Sequence, residues 1–517
     1  MQASPDSPTG VEPASAAVAE AVAAAGPTPG APGNQHRLVK NTVYLTAAQA
    51  ATIPIAVLMN GLLGRYLGAE AFGYIYLAGT ACAFAVLALE WGQQGAVPAL
   101  VARDKARAGV ILGTSIAWRF LMAFVTAAAL ALACELLGYT SAQKWAVALT
   151  FPVSALTSLS TGFKDTIRGF ERTDIPALVH VGQQVMNVIV IVPVLLLGGQ
   201  LREVLLASLV VALLAVVVLR YALRSLGVRR LTFELGMLKQ MFAMGTAFVF
   251  FELAMVLTPA INANFLSKLV PAEVTGWYGV SQKLVGLLIF PASALIGALY
   301  PTLCRLHVED QTEFGRVTRN SLYGTALLAV PAAVGCGMFP ELGVMIFDAK
   351  EFAGAADHLR VMSLFVFLVY FSMPLGTAIM ACNKQRVWAL VQVMCILVAV
   401  AGNPFLVPYY QKLMGNGAIG TCITLVLSEL VVVGCGVALA PRGIFNGELL
   451  KSLALAALAG GAMAGVAWLA KPISLFLAVP AAVLTYAVVA YFSGAIQAST
   501  LDMVKGFVNR KLRKRAA

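Results

Sequence analysis

The chain has 517 residues, of which 60% are hydrophobic and only 12% charged, and its mean hydropathy is +0.83. A soluble domain is roughly 45–50% apolar and about 25% charged, so the composition excludes a soluble enzyme, a nucleic-acid module and a disordered scaffold. The net charge of +12 would suggest nucleic acid in a soluble protein. In a polytopic membrane protein basic loops set topology instead, and the sequence has no ladder of basic and aromatic residues.

In chain order, residues 1–36 are rich in Ala, Pro, Gly and Ser and hold no Lys or Arg. They lack the charged start and apolar core of a signal peptide and read as a disordered cytoplasmic tail. From Asn41 onward, apolar stretches long enough to span a bilayer recur between short polar breaks. They predict fourteen helices, at 41–64, 72–91, 109–134, 145–161, 175–197, 204–220, 240–266, 274–304, 318–338, 359–381, 387–408, 417–440, 449–470 and 473–493. Pro54, Pro193, Pro259, Pro291, Pro331 and Pro374 fall inside these stretches, which membrane helices tolerate because neighbours satisfy the freed carbonyls. With the N-terminus inside and the helices alternating, 26 Lys and Arg lie in inside segments and 8 in outside ones. That bias supports an even helix count with both termini cytoplasmic. The tail at 496–517 ends in a basic run and reads as a cytoplasmic anchor, or alternatively as a surface helix for anionic lipid.

Ala69-Glu70-Ala71-Phe72-Gly73-Tyr74 and Ala272-Glu273-Val274-Thr275-Gly276-Trp277 share the pattern A-E-x-x-G-aromatic, 203 residues apart. Each opens an even-numbered stretch, so six-helix halves of equal orientation are expected. The expected fold is an all-α integral membrane protein of about fourteen transmembrane helices. Two six-helix lobes (37–230 and 231–441), related by a pseudo-two-fold axis along the membrane normal, are followed by two further helices (442–495).

No G-x-x-x-x-G-K-[ST] motif is present, so no ATP-hydrolysing loop is expected. The longest connection, about Phe339–His358, is too short for a catalytic domain, and its Glu341, Asp348, Glu351 and Asp357 are scattered. They read as a solvated loop. The eight cysteines lie in or beside apolar stretches without metal-ligand spacing. Neither a metal nor a cofactor is expected, and the chain reads as a carrier rather than an enzyme.

Three segments resemble a known family. Arg65-Tyr66-Leu67-Gly68-Ala69-Glu70-Ala71-Phe72-Gly73 is similar to the turn after the first helix of bacterial polysaccharide transporters. Arg168-Gly169-Phe170-Glu171-Arg172 resembles their connection after the fourth helix. Trp277-Tyr278-Gly279-Val280 through Leu299-Tyr300-Pro301-Thr302-Leu303-Cys304-Arg305 is similar to their eighth helix. The resemblance is to the multidrug/oligosaccharidyl-lipid/polysaccharide exporter superfamily, on its O-antigen flippase (Wzx-type) branch. It implies two six-helix lobes around a central cavity in the bacterial inner membrane. It also implies transfer of an undecaprenyl-pyrophosphate-linked oligosaccharide, an O-antigen or exopolysaccharide repeat unit, to the outer leaflet. The partners implied are that lipid-linked oligosaccharide, membrane lipids, a polysaccharide polymerase and a chain-length regulator, with no nucleic acid. In related peptidoglycan-precursor flippases two extra C-terminal helices form a groove for the lipid tail. The first helix carries Gln49, Pro54 and Asn60 but no acid, and Arg65 sits at its outer end. Both features depart from the drug-exporting and peptidoglycan-precursor branches, which stay as alternatives.

Charges within spans should face a cavity or a partner. Arg119, Lys283 and Arg65 are the candidates to meet a pyrophosphate or acidic sugar. Arg119 has Glu90 as an alternative partner, and Lys283 has Glu252. Glu429 and Glu252 are the candidates for ion coupling, the alternative for Glu429 being a carboxyl bonded to a neighbouring helix. Gln49, Asn60, Gln183, Asn187, Asn262 and Asn264 are the candidate sugar contacts, or ordinary interhelical bonds.

Overall fold

The computed structural model describes residues 32–441 and 444–495, with the backbone alone at 32–51 and at a few positions further on. The side chain of Gln49 and the tails at 1–31 and 496–517 lie outside the described residues. Every long element among those residues is helical: α1 (Pro32–Glu90), α2 (Gln93–Arg103), α3 (Ala108–Leu136), α4 (Ser141–Gly169), α5 (Asp174–Leu196), α6 (Leu201–Ser225), α7 (Leu235–Leu269) and α8 (Ala272–Glu309) come first. Then follow α9 (Gln311–Met338), α10 (Pro340–Met345), α11 (Ala353–Ala381), α12 (Gln385–Met414), α13 (Ala418–Leu439), α14 (Gly447–Ala470) and α15 (Leu475–Phe492). The first helix starts at Pro32, inside the stretch expected as tail.

The continuous range of α1 hides a break at Gly68, where φ is 80° and ψ 175°. Only glycine holds that conformation without strain, so α1 is two helices, 32–67 and 69–90. Among the described residues, twelve segments are long and apolar enough to cross a membrane, and one of them, Thr52–Arg103, contains this break. Counting both halves of α1 and adding α7, the expected fourteen long helices are present. The six prolines named above all sit inside helices. Polar caps mark several starts. Thr140 and Gln143 close a reciprocal capping box at α4, Asp310 caps α9 and Asn446 caps α14. Helix α2 was not expected. It follows α1 after a left-handed turn at Trp91–Gly92.

In the first half of the chain α1 packs on α4 and α5, and α6 on α4 and α5. In the second half α11 packs on α8, α9 and α13, and α12 on α7 and α13. Helices α14 and α15 pair with each other and lean on α9 through Val330, Met463 and Tyr486. The connection before α7 lies along α3: Glu234 N–H donates to Thr114 Oγ1 (3.1 Å), and Arg107 pairs with the Glu234 carboxylate (2.5 Å). The two halves meet where α1 crosses α8 and along α7, which packs on α1, α2 and α3.

Candidate functional site

That crossing is built from the internal repeat. A Cβ on Gly73 would come within 2.1 Å of Ala272 O, and a Cβ on Gly276 within 1.9 Å of Ala69 O. The two copies of the motif therefore touch each other reciprocally, backbone against backbone, and neither glycine tolerates a side chain in this arrangement. The end of the molecule holding this crossing is called the outer end, after the orientation expected from the basic loops.

Further contacts seal the outer end. Arg65 donates to the carbonyls of Met345 (2.6 Å), Ile346 (3.1 Å) and Phe347 (2.6 Å), satisfying the last turn of α10. Glu351 Oε1 accepts the N–H of Ala69 at 2.6 Å, the first donor after the Gly68 break. Asp348 accepts from the N–H groups of Lys350 (2.9 Å) and Glu351 (3.1 Å), which shapes the turn that presents Glu351. Those backbone donors, Glu351 first and Lys350 second, hold the Asp348 carboxyl below the usual carboxylate range. Phe72 lies edge-on to Phe347 and Phe352, with ring centroids 5.7 and 6.0 Å away. The connection read from sequence as a solvated loop is thus the second half's contribution to the outer seal.

The counterpart of Arg65, 203 positions on, is Lys268. Its ammonium lies 5.9 Å from the centre of the Tyr139 ring, in the α3–α4 turn. Beside it Tyr139 OH donates to Asn264 Oδ1 (3.1 Å). Each half thus sends the outer end of its first helix into an outer turn of the other half.

Below the crossing the helices separate. Gly276, Gly279, Lys283 and Gly286 follow one stripe of α8 at helical spacing. Gly276 touches α1 directly, and a Cβ on Gly279 would meet the Tyr76 ring at 3.0 Å. One turn further, Lys283 is exposed, and a Cβ on Gly286 would meet nothing within 4 Å. On α1, Gly79 is equally open. The wedge between α1 and α8 is closed at its outer apex and open at Gly79 and Gly286, while α7 still packs on the first half further in, where Gly245 meets Gly92 backbone to backbone. Thr80, the counterpart of Lys283, lines a cavity of about 320 Å³ between α1, α3 and α7.

Lys283 forms no ion pair among the described residues, and the alternative pairing with half-buried Glu252 is not made. Lys164 of α4 is half-buried and likewise forms no ion pair among the described residues. No sequence pattern marks Lys164 out, because it sits among basic residues that topology alone explains.

The other candidate cations have protein partners. Arg119 is 3% exposed, and its Nη1 donates to Ser158 O (2.7 Å), Ser158 Oγ and Glu90 Oε1 (3.4 Å). Its Nε donates to Ser115 Oγ (3.3 Å), which in turn donates to Gln93 Oε1 (2.5 Å). Gly162 leaves room for it, since a Cβ there would lie 3.1 Å from Arg119 Nε. Arg119 is therefore the buried partner of Glu90, not a lining charge, because its short i−29 neighbour and the α4 backbone enclose it. Arg65 is likewise spent on the outer seal rather than on a cavity wall.

Glu429 accepts a hydrogen bond from Ser372, across the α11–α13 contact. Asn262 is fully buried: it accepts from Asn403 Nδ2 (2.8 Å) and faces Tyr278 OH (3.5 Å), with Thr424 bonded to Asn403 (3.1 Å). Asn60 bonds its own helix at Ala56 O (2.7 Å), and Asn187 reaches Gln184 Oε1 (3.4 Å). Asn264 holds Tyr139. Gln183 is half-buried on α5. The structure does not gather these amides into one site.

Among known proteins, the family described as polysaccharide biosynthesis protein matches residues 38–307. A comparison with curated proteins finds no match. Among solved structures the chain is similar to the lipid II flippase MurJ in an inward closed conformation. The TM-score is 0.66 at 13% identity, over 87% of this chain and 99% of that one. It is also similar to an inward-facing multidrug resistance MATE family transporter of the MOP superfamily, with a TM-score of 0.63 at 15% identity, over 74% and 93% of the chains. An outward-facing transporter of that kind aligns with a TM-score of 0.52 at 15% identity, over 80% and 96%. At such identities these likenesses speak to the fold alone. With more than half of the chain inside the family match, this multi-pass membrane protein belongs to the polysaccharide biosynthesis protein family.

Proposed function

We propose that the protein is a flippase that moves an undecaprenyl-pyrophosphate-linked oligosaccharide from the inner to the outer leaflet by alternating access without ATP. The observation that carries this reading is the exposed Lys283 ammonium, without an ion pair among the described residues, in the gap between α1 and α8 below their outer crossing. A pyrophosphate cannot enter hydrocarbon without a large desolvation penalty. A wedge with a free cation at mid-depth replaces part of the lost hydration, and an unpaired cation needs no protein partner to be displaced first. The family match supports a glycan cargo. The charge bias of the loops supports an inner-membrane location with cytoplasmic termini.

The test measures the leaflet distribution of lipid-linked oligosaccharide in cells producing the wild type, Lys283→Ala or Lys283→Arg. Lys283→Ala should lower outer-leaflet appearance at least tenfold at equal membrane insertion, while Lys283→Arg keeps most of it. Wild-type transfer by Lys283→Ala would overturn the assignment of the cation. If loss of the protein changes only drug sensitivity, it is a small-molecule exporter; if peptidoglycan precursor accumulates instead, that lipid is the cargo.

A further inference from the structure

We propose that the outer face of the first half carries a carbohydrate-binding pocket, separate from the wedge, formed by the α1 break, the start of α4 and the α5–α6 turn. The pocket has a volume of about 700 Å³, within the roughly 300–1,000 Å³ of small-molecule sites. Its chemistry comes from Tyr66, Glu70, Tyr74, Trp145, Gln200 and Arg202. All six belong to the first half, so the site does not require the α1–α8 contact to be open or closed.

The lining has two kinds of surface. Trp145 and Tyr66 are 68% and 50% exposed, large aromatic faces left uncovered beside a cavity. Around them stand one carboxylate, one guanidinium and one amide. Tyr74 OH donates to Glu70 Oε1 at 2.6 Å, which fixes the carboxylate and leaves Oε2 to accept. Glu203 accepts the N–H of Gln200 at 2.9 Å and orders the rim. The turn stays open because Gly198, at φ 81°, faces empty space.

A sugar ring matches this division. Its flat C–H faces stack on aromatic rings, and its hydroxyl edges both donate and accept. Other occupants fit less well. A phosphate headgroup would meet the Glu70 carboxylate, a like charge. An acyl chain would strip water from Glu70 and Arg202 and return no hydrogen bonds. Tyr and Trp also collect at membrane interfaces, but such residues need not converge on a polar cavity. The ligand class is therefore an oligosaccharide of neutral or weakly charged sugars. Its placement at the outer surface rests on the orientation and cargo class proposed above.

The experiment uses the full chain in lipid nanodiscs. The probe is soluble oligosaccharide released by mild acid from the lipid-linked pool of the producing cells, and binding is read by saturation-transfer NMR and calorimetry. Binding should occur in the wild type and weaken at least tenfold in Trp145→Ala and in Glu70→Gln. It should stay within twofold in Trp468→Ala, which removes another exposed tryptophan on α14. Absence of wild-type binding, or pocket variants that bind like the wild type, overturns the pocket. So does anionic lipid that co-purifies with the wild type and is lost in Arg202→Ala while no sugar binds. Binding that persists when the leaflet assay shows no transfer keeps the pocket and removes the flippase reading. Transfer without binding removes the pocket alone.

Discussion

Arg119 and Lys283 look alike in the sequence, each a lone cation about ten residues into an apolar stretch, yet the fold treats them oppositely. Arg119 is enclosed with Glu90, Ser115 and Ser158. Arg119→Met leaves Glu90 buried with Gln94 as its remaining donor (2.5 Å). Breaking such a pair costs roughly 3–5 kcal/mol. The thermal midpoint in detergent should fall accordingly, and the added change Glu90→Gln should restore most of it. Lys283→Met should leave the midpoint unchanged while transfer is lost. An unshifted midpoint in Arg119→Met would return that residue to the cavity. The sequence showed that both charges lie inside spans, and it offered Glu90 as one partner. It did not show which cation is enclosed, because that depends on Ser158 and Gly162 of α4 closing around one of them.

At the scale of elements, the α1–α8 crossing is the part most sensitive to added atoms. Gly276→Leu cannot keep a Cβ 1.9 Å from Ala69 O, so the outer seal must part. The distance between spin labels at Ser141 and Lys350, on the outer turns of the two halves, should lengthen, with a smaller change in Arg65→Ala. An unchanged distance distribution in Gly276→Leu would show that the seal does not depend on this contact. The attachment of α14 has its own signature. Lys471 Nζ lies 3.0 Å from both Glu341 oxygens and 2.8 Å from Met338 O, and Arg360 lies 2.7 Å from Glu341 Oε1. Partial burial pushes the Glu341 carboxyl up, but a backbone N–H, Lys471 and Arg360 together hold it below its ordinary value. A carboxyl depressed on folding stabilises above its unfolded value, about 4.3, and the contribution fades as pH falls through the lower folded value. The midpoint difference between wild type and Glu341→Gln should therefore be constant from pH 7 to about 5.5 and shrink below about 4.5. A difference that grows on acidification would contradict the tie.

For the whole molecule, the helix count, the prolines inside helices and the six-helix spacing were all legible, because hydropathy and charge bias act on each segment independently. Segments whose role depends on a distant neighbour were not. The 339–358 connection reads as polar and solvated because its acids are scattered in sequence. Glu351 meets Ala69 and Glu341 meets Lys471 only after the halves and the last two helices dock. The connection at 231–234 opens the second half by position but packs on α3 of the first. The repeat at Ala69 and Ala272 marked duplication, and the structure adds that its two copies are each other's binding partners. Sequence spacing fixes a shared register but not mutual contact.

Reciprocity of that kind has a historical meaning. A contact in which a patch meets its own copy is isologous, the interface a two-fold homodimer makes. The Gly73–Gly276 crossing is what two identical six-helix units would form before they were joined in one chain. We infer that such a fusion freed the copies to diverge, with Thr80 in one and Lys283 in the other at equivalent places. On this account the linker is dispensable for assembly. Residues 1–230 and 231–517, produced as separate polypeptides in one cell, should co-purify as a complex that Gly73→Leu disrupts. Halves that insert but never associate would mean that the shared chain, and not the inherited interface, holds the molecule together.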